Sequence, residues 1–211
     1  MPKQPFEQLS KRQRNAIFRV CCELFAQNGY DHTSVKMITR RLRVADGYLY
    51  YYFEGKQDLA KWVIAKGNKL WYDHFQAHVM SKNPADVFEL FRMLVTHMIQ
   101  FIQDYRELYG AYHKLINEPN FPLAPYLIEQ ISWIDRVFQE TVEQGIRNGL
   151  LRSDIPPIFI VMALDLFNTR LQEFFYNPGL DPIGISSMSD TEIDGILTKT
   201  ISLLRDGLVG R

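Results

Sequence analysis

Between residues 48 and 52 the chain carries Tyr48, Tyr50, Tyr51 and Tyr52, four of its eleven tyrosines. Arg40, Arg41 and Arg43 stand just upstream and Lys56 just downstream. A phenol donates a hydrogen bond to a phosphate oxygen and lays its ring against a thymine methyl, while guanidinium and ammonium groups pair with phosphate. These residue types, this close together, suit contact with a polyanion. Catalytic chemistry is harder to find. No nucleophile–base pair, Gly-rich phosphate loop or paired-carboxylate motif is present, so neither an enzyme nor a cofactor is expected. His74 and His78 are four apart and share a helical face, and His97 offers a third imidazole. Without an HExxH pattern or a cysteine partner, no metal site is expected there. Cys21 and Cys22 are adjacent. They cannot build a disulfide framework, which points to a reducing cytoplasm.

The distribution of charge agrees with the tyrosine-rich cluster. The formal net charge is zero over 211 residues. Residues 1–56 nevertheless hold ten Lys/Arg against five acids, and the remainder holds the compensating acidic excess. Such asymmetry between the parts of a chain points the basic part toward a polyanion. A hydrophobic fraction of 46% with 23% charged residues is that of a globular protein. No apolar run approaches the ~20 residues of a membrane span. The start, MPKQPFEQLSKRQR, has no apolar signal core.

The elements that must position these groups are helices, about nine in all. Ile17, Val20, Cys21, Leu24 and Phe25 recur at helical spacing over residues 16–28, stopped by Asn28-Gly29. Thr33 or Ser34 caps a second short helix whose Val35, Ile38 and Leu42 share a face. A third runs from about Asp46 to Phe53 and buries Leu49 and Phe53. Longer helices follow at 57–80, from Asn83-Pro84 to about 104, at 105–117, 125–149, 157–176 and 190–205, the last opened by a Ser189/Glu192 capping box. The helix at 157–176 is apolar nearly all round, which marks a core or a subunit interface. The fold class is all-α. Two short helices joined by a tight turn behind a supporting helix make a helix-turn-helix, whose second helix enters the major groove.

Three segments, LFAQNGYDHTSV, ITRRLRV and GYLYYYFEGKQDL, give this stretch its resemblance to the N-terminal DNA-binding domain of the TetR family of transcriptional regulators. The match in order, spacing and residue type covers about 45 residues, whereas the rest of the chain is similar only in length and helicity. The resemblance implies a three-helix DNA-binding domain over 1–56 and an effector-binding and dimerisation domain over 57–211. It further implies a homodimer on a palindromic operator, released by a small-molecule effector, with repression the commoner mode. Thr33 and Lys56 resemble phosphate-contacting residues, although Thr33 also serves as a plain cap. A lysine at a helix start opposes the helix dipole, which favours a phosphate partner for Lys56. Gly47, Tyr48, Tyr50, Tyr51 and Tyr52 fall on recognition-helix positions, and Ser34, Lys36, Arg43 and Asp46 complete the candidate DNA-facing set.

Three departures stand out. Arg43 replaces a common turn glycine, Ala45 cannot cap, and Asp46 stands where a basic or polar residue is common. Asp46 either took over as N-cap or accepts from a cytosine amino group. Further along, the resemblance implies a pocket with an apolar wall and a few polar anchors. Trp71, Phe75, His78, His97, Phe101, Tyr109, Tyr112, Trp133 and Phe167 are the candidates, and they favour an apolar or aromatic effector. The last two long helices are the expected dimer interface, through Leu164, Phe167, Leu171, Ile193, Leu197 and Leu204. The rival reading is a helical protein-interaction module whose helix-turn-helix does not bind DNA.

Overall fold

The computed structural model describes residues 2–208. Among these, nine α-helices and five short 3-10 turns form, and no strand. The helices are α1 (Lys11–Asn28), α2 (Val35–Leu42), α3 (Lys56–His78), α4 (Val87–Asp104), α5 (Arg106–Ile116), α6 (Ala124–Ile131), α7 (Trp133–Arg147), α8 (Pro157–Tyr176) and α9 (Asp190–Leu208). None among the described residues is long and apolar enough to cross a membrane.

The chain condenses into two compact units, and it crosses between them at 71/72, 104/105 and 131/132. The first unit joins everything up to Trp71 with Tyr105–Ile131, and the second joins Tyr72–Asp104 with the chain from Ser132 onward. Residue 56, the expected boundary, is the first residue of α3. The line between the units falls elsewhere because α1 lies along α5. Ile17, Val20, Cys21, Cys22, Leu24 and Phe25 form the buried face of α1, and Leu108, Ala111 and Leu115 that of α5. Gly67 lets α3 come close: a Cβ there would lie 2.6 Å from Leu108 and 2.9 Å from the Tyr112 ring. Tyr112 donates its hydroxyl hydrogen to the Ile64 carbonyl.

α1 begins five residues before the expected position, because Ser10 and Gln13 form a reciprocal capping box. A 3-10 turn, Gln4–Gln8, precedes it and buries Phe6. In the second unit, α4 contacts α7, α8 and α9. Its cap is Asp86, whose Oδ1 accepts from the Phe88 and Glu89 amides at 2.9 and 2.8 Å. The expected cap, Asn83, instead ends the preceding turn in a left-handed conformation. The Ser189/Glu192 box at α9 is present in both directions. The single helix expected over 125–149 is two, α6 and α7, separated at Ser132 where the chain passes between the units.

Candidate nucleic-acid interface

The helix-turn-helix consists of α2, a turn at Arg43, and a segment that is tighter than the expected helix. Tyr48 N–H donates to Ala45, Tyr50 to Gly47 and Tyr52 to Leu49, all i→i+3 bonds of 2.9–3.2 Å, so residues 45–52 wind as successive tight turns, 3-10 at Leu49–Tyr51. Its inner side is Leu49 and Phe53, both 1% exposed. Its outer side is Tyr50 and Tyr51. The segment is braced by a part of the chain outside the motif. Lys3 N–H donates to the Tyr52 carbonyl at 2.8 Å, and Lys3 Nζ to the Tyr50 carbonyl at 3.2 Å. Phe6 meets Tyr52, Phe53 and Trp62 edge-on at 5.9, 5.0 and 5.0 Å. The sequence reading missed this brace. A lone phenylalanine in a five-residue turn leaves no periodic signal.

The turn keeps its shape without glycine. Arg43 sits at φ 59°, ψ 44°, left-handed, with its side chain exposed. Its amide donates to the Arg40 carbonyl, and the Val44 amide to Thr39. An L-residue costs about 1–2 kcal/mol in this region, so the arginine is held there against its backbone preference. Arg40, Arg43 and Lys36 are exposed, whereas Arg41 donates to Glu23 Oε1 on α1 at 2.7 Å.

Several expected contacts are placed differently. Thr33 is 1% exposed, and its hydroxyl donates to the Gly29 and Leu24 carbonyls at 2.6 and 3.2 Å, so it clasps the end of α1 and is withdrawn from phosphate. Ser34 is the cap of α2, accepting from Met37 N–H at 3.2 Å. Lys56 donates to the Tyr30 carbonyl at 2.9 Å and lies 4.1 Å over the Tyr30 ring, so its charge serves the α1–α2 loop. Tyr52 is buried, its ring against Tyr48 and Tyr51 at 5.2 and 5.1 Å. Burial and a hydrogen bond with Tyr52 hold the half-buried Tyr48 phenol above its ordinary pKa. Asp46 does not cap the segment. Its carboxylate faces Lys36 Nζ at 3.7 Å and, at 3.5 Å, the Thr39 hydroxyl. Gly47 is exposed, and a Cβ there would meet open space. The exposed set is therefore Ser34, Lys36, Arg43, Asp46, Gly47, Tyr50 and Tyr51, with Arg40 beside them.

The aromatic candidates for an effector pocket divide between the units. Trp71, Tyr109 and Tyr112 belong to the first, and Tyr112 is engaged in the structural bond to α3. In the second, Phe75 is buried edge-on to Trp133 at 5.2 Å. Phe101 is buried beside His74 at 5.4 Å. His78 and Phe167 face outward, which takes them out of any apolar wall. His74, His78 and His97 gather with ring centroids 4.3 to 5.8 Å apart. No group of three or more His, Cys, Asp or Glu among the described residues is placed to hold a metal ion. One polar residue went unnoticed: Asn168 lies buried in apolar α8, and its Oδ1 has no hydrogen-bond partner among the described residues. A cleft of about 430 Å³ lies between α4 and α9, lined by none of the expected set. Its arginines are paired, Arg92 with Asp194 at 2.5 Å and Arg205 with Asp86 at 3.3 Å.

A short helix, a tight turn and an exposed tyrosine pair, with exposed cations on the helix and the turn, make up a helix-turn-helix carried on a helical chain. Residues 17–63 match the family model described as bacterial regulatory proteins, tetR family. This segment is similar to the DNA-binding domain of the TetR family. An HTH-type transcriptional regulator of Staphylococcus aureus (strain MRSA252) is 25% identical over 99 residues, which is 47% of this chain and 52% of that protein. The chain thus spans about half the length of the curated relatives it matches. A TetR family transcriptional regulator from Chloroflexus aurantiacus shares the fold over 100% of both chains, with a TM-score of 0.72 and 24% identity. The regulator FadR from Bacillus subtilis, solved in complex with stearoyl-CoA, does so over 92% of this chain and 98% of its own, at TM-score 0.71 and 17% identity.

Proposed function

We propose that the protein is a sequence-specific DNA-binding transcriptional regulator of the cytoplasm, not an enzyme. It binds a palindromic operator as a homodimer and represses until a small apolar or aromatic effector releases it. The observation that carries this reading is the Tyr50–Tyr51 pair, exposed on a segment whose other side is buried, with Lys36, Arg40 and Arg43 exposed on the preceding helix and turn. The dimer face is α8 with α9. Phe159, Met162 and Leu166 are exposed at i, i+3 and i+7 along α8, and Leu203 is exposed on α9. Of the residues expected at that interface, Leu164, Ile193 and Leu197 are buried within the second unit and pack its core instead. The effector class rests on the aromatic set of α3, α4 and α7, with buried Asn168 as a candidate polar anchor. A buried acceptor left without a donor costs about 1–3 kcal/mol, which a ligand donor would recover.

The experiment is selection of bound fragments from a genomic DNA library with the purified protein. An enriched palindrome supports the reading. The rival, a protein-interaction module, draws on the pairing of Asp46 with Lys36 and the engagement of Lys56 with backbone, which together remove cationic contacts. Binding whose logarithm shows no dependence on the logarithm of salt concentration would favour that rival, because phosphate contacts release counterions.

A further inference from the structure

The loop between α1 and α2 is gripped from a part of the chain that the helix-turn-helix does not include. Glu118 lies in the turn between α5 and α6. Its Oε2 accepts from Tyr30 N–H at 2.5 Å and its Oε1 from Asp31 N–H at 2.8 Å. Two successive amides so aimed form an anion cradle, and a carboxylate of the chain itself fills it. Bonds from amides to an ionised acceptor are about twice as strong as neutral ones.

The same loop is held from its other side, where Lys56 Nζ takes the Tyr30 carbonyl at 2.9 Å. The Tyr30 ring is buried between Phe25 and Phe121, with centroids at 6.3 and 5.3 Å, so the ring also bridges α1 to the α5–α6 turn. Gly29 makes the grip possible. Its φ is +72°, and a Cβ there would lie 2.7 Å from Glu118 Oε2. α2 starts at Val35, four residues beyond Asp31. Any displacement of the loop therefore carries α2 and the turn behind the tyrosine pair.

We propose that Glu118 is a positioning residue for DNA reading. Its carboxylate sets the α1–α2 loop, and through α2 the presentation of Tyr50 and Tyr51, so a shift of the α5–α6 turn alters operator recognition. This rests on the DNA-binding reading above. Glu118 touches no exposed surface of the tyrosine segment, so its effect falls on specificity and not on phosphate attraction.

The test compares full-length wild type with Glu118→Gln, in which an amide –NH₂ replaces one acceptor and opposes a backbone N–H. The first readout is hydrogen exchange of the segment 29–34. The second is affinity for the selected operator and for random-sequence DNA of equal length. Glu118→Gln is expected to speed exchange of the Tyr30 and Asp31 amides at least tenfold and to weaken operator binding about tenfold, with random-DNA affinity and the salt slope unchanged. Glu118→Asp, which keeps the charge one methylene short, is expected to restore part of both, and it carries the test should Glu118→Gln fold poorly. Equal loss on operator and random DNA would reduce Glu118 to a stability role and overturn the proposal. So would faster exchange with operator affinity intact, or unchanged exchange. A wild type that binds no DNA at all would fell the functional reading first, before any variant is made, and this proposal with it.

Discussion

Two of the surfaces that expose large side chains differ in what those side chains end in. On the tyrosine segment, Tyr50 and Tyr51 are 53% and 62% exposed and end in hydroxyls, with Lys36, Arg40 and Arg43 nearby. On α8, Phe159, Met162 and Leu166 are 60%, 50% and 68% exposed and carry no polar atom able to donate a hydrogen bond. Both leave apolar area in water, which marks an interaction site more often than an accident. The tyrosine surface suits a partner that is itself hydrated and negative. The α8 stripe, at i, i+3 and i+7, suits only another dry surface. On the proposed function, the chemistry of the side-chain ends matches the first surface to DNA and the second to a protein face, which the homodimer reading takes to be a second copy.

The sharpest way to break that contrast is to charge the dry face. Leu166→Arg sets a cation at the most exposed position of the α8 stripe, where two copies would oppose like charges. The expected outcome is a monomer in sedimentation at micromolar concentration, and operator affinity at least about 100-fold lower, since two half-sites are no longer joined. A variant that remains dimeric would place the interface elsewhere.

Next in size is the tyrosine pair. Tyr50→Ala and Tyr51→Ala should each weaken operator binding by about 1–3 kcal/mol, roughly 5- to 150-fold, and leave the salt slope unaltered. Arg40→Ala should show a different pattern, weakening operator and random DNA alike and reducing the salt slope by about one. Titrations at several salt concentrations separate the two patterns. If the tyrosine variants flatten the slope, the rings serve phosphate and the contrast between reading and anchoring is lost.

How much of this was legible in the sequence follows the same divide. The first surface was read to its turn, its cations and its exposed tyrosines, because the motif fixes spacing in a short local segment. It failed where only burial chooses between neighbours. Thr33 and Ser34 are equally fit to cap α2, and the structure turns the first inward against Gly29 and Leu24 and gives the cap to the second. In the same way Tyr52 goes inward while Tyr51 goes out, a choice set by Phe6 nearly fifty residues upstream. The second surface was read only as helix. The break at Ser132 has no glycine or proline to announce it, since it arises where the chain passes between the units. The expected interface leucines were selected by helical spacing, which finds a stripe without saying which side of a buried helix it lies on.

Arg43 sharpens the account of the first surface through two effects of opposite sign. Arg43→Gly relieves the left-handed strain at φ 59°. Set against the greater freedom glycine gains when unfolded, the net stabilisation is about 0.5–1 kcal/mol, or about 2 °C in melting temperature. It also removes one exposed cation, so affinity for any DNA should fall and the salt slope should drop by about one. A variant that melts lower would mean the turn is shaped by the arginine side chain and not tolerated in spite of it.

The smallest effect expected is on the second unit and depends on pH. His74 and His97 are each held below the ordinary imidazole value of 6.5, first by burial and then by the neighbouring His78. The charged groups that bear on them are Asp104, which raises His74, and Lys82, which lowers His97 further. Their folded-state values lie below the unfolded one, so the unfolded chain takes up protons first as pH falls. Stability is therefore whole above about 6.5 and declines below it, until the folded imidazoles also charge. Both rings remain partly in solvent, which keeps the effect modest. Melting curves from pH 8 to pH 5 should fall in this window, and His74→Gln with His97→Gln should flatten the dependence. Hydrogen exchange should locate the loss in α4 and not in the tyrosine segment. Acid sensitivity confined to the first unit would reverse that assignment and with it the claim that the two units answer to different chemistry.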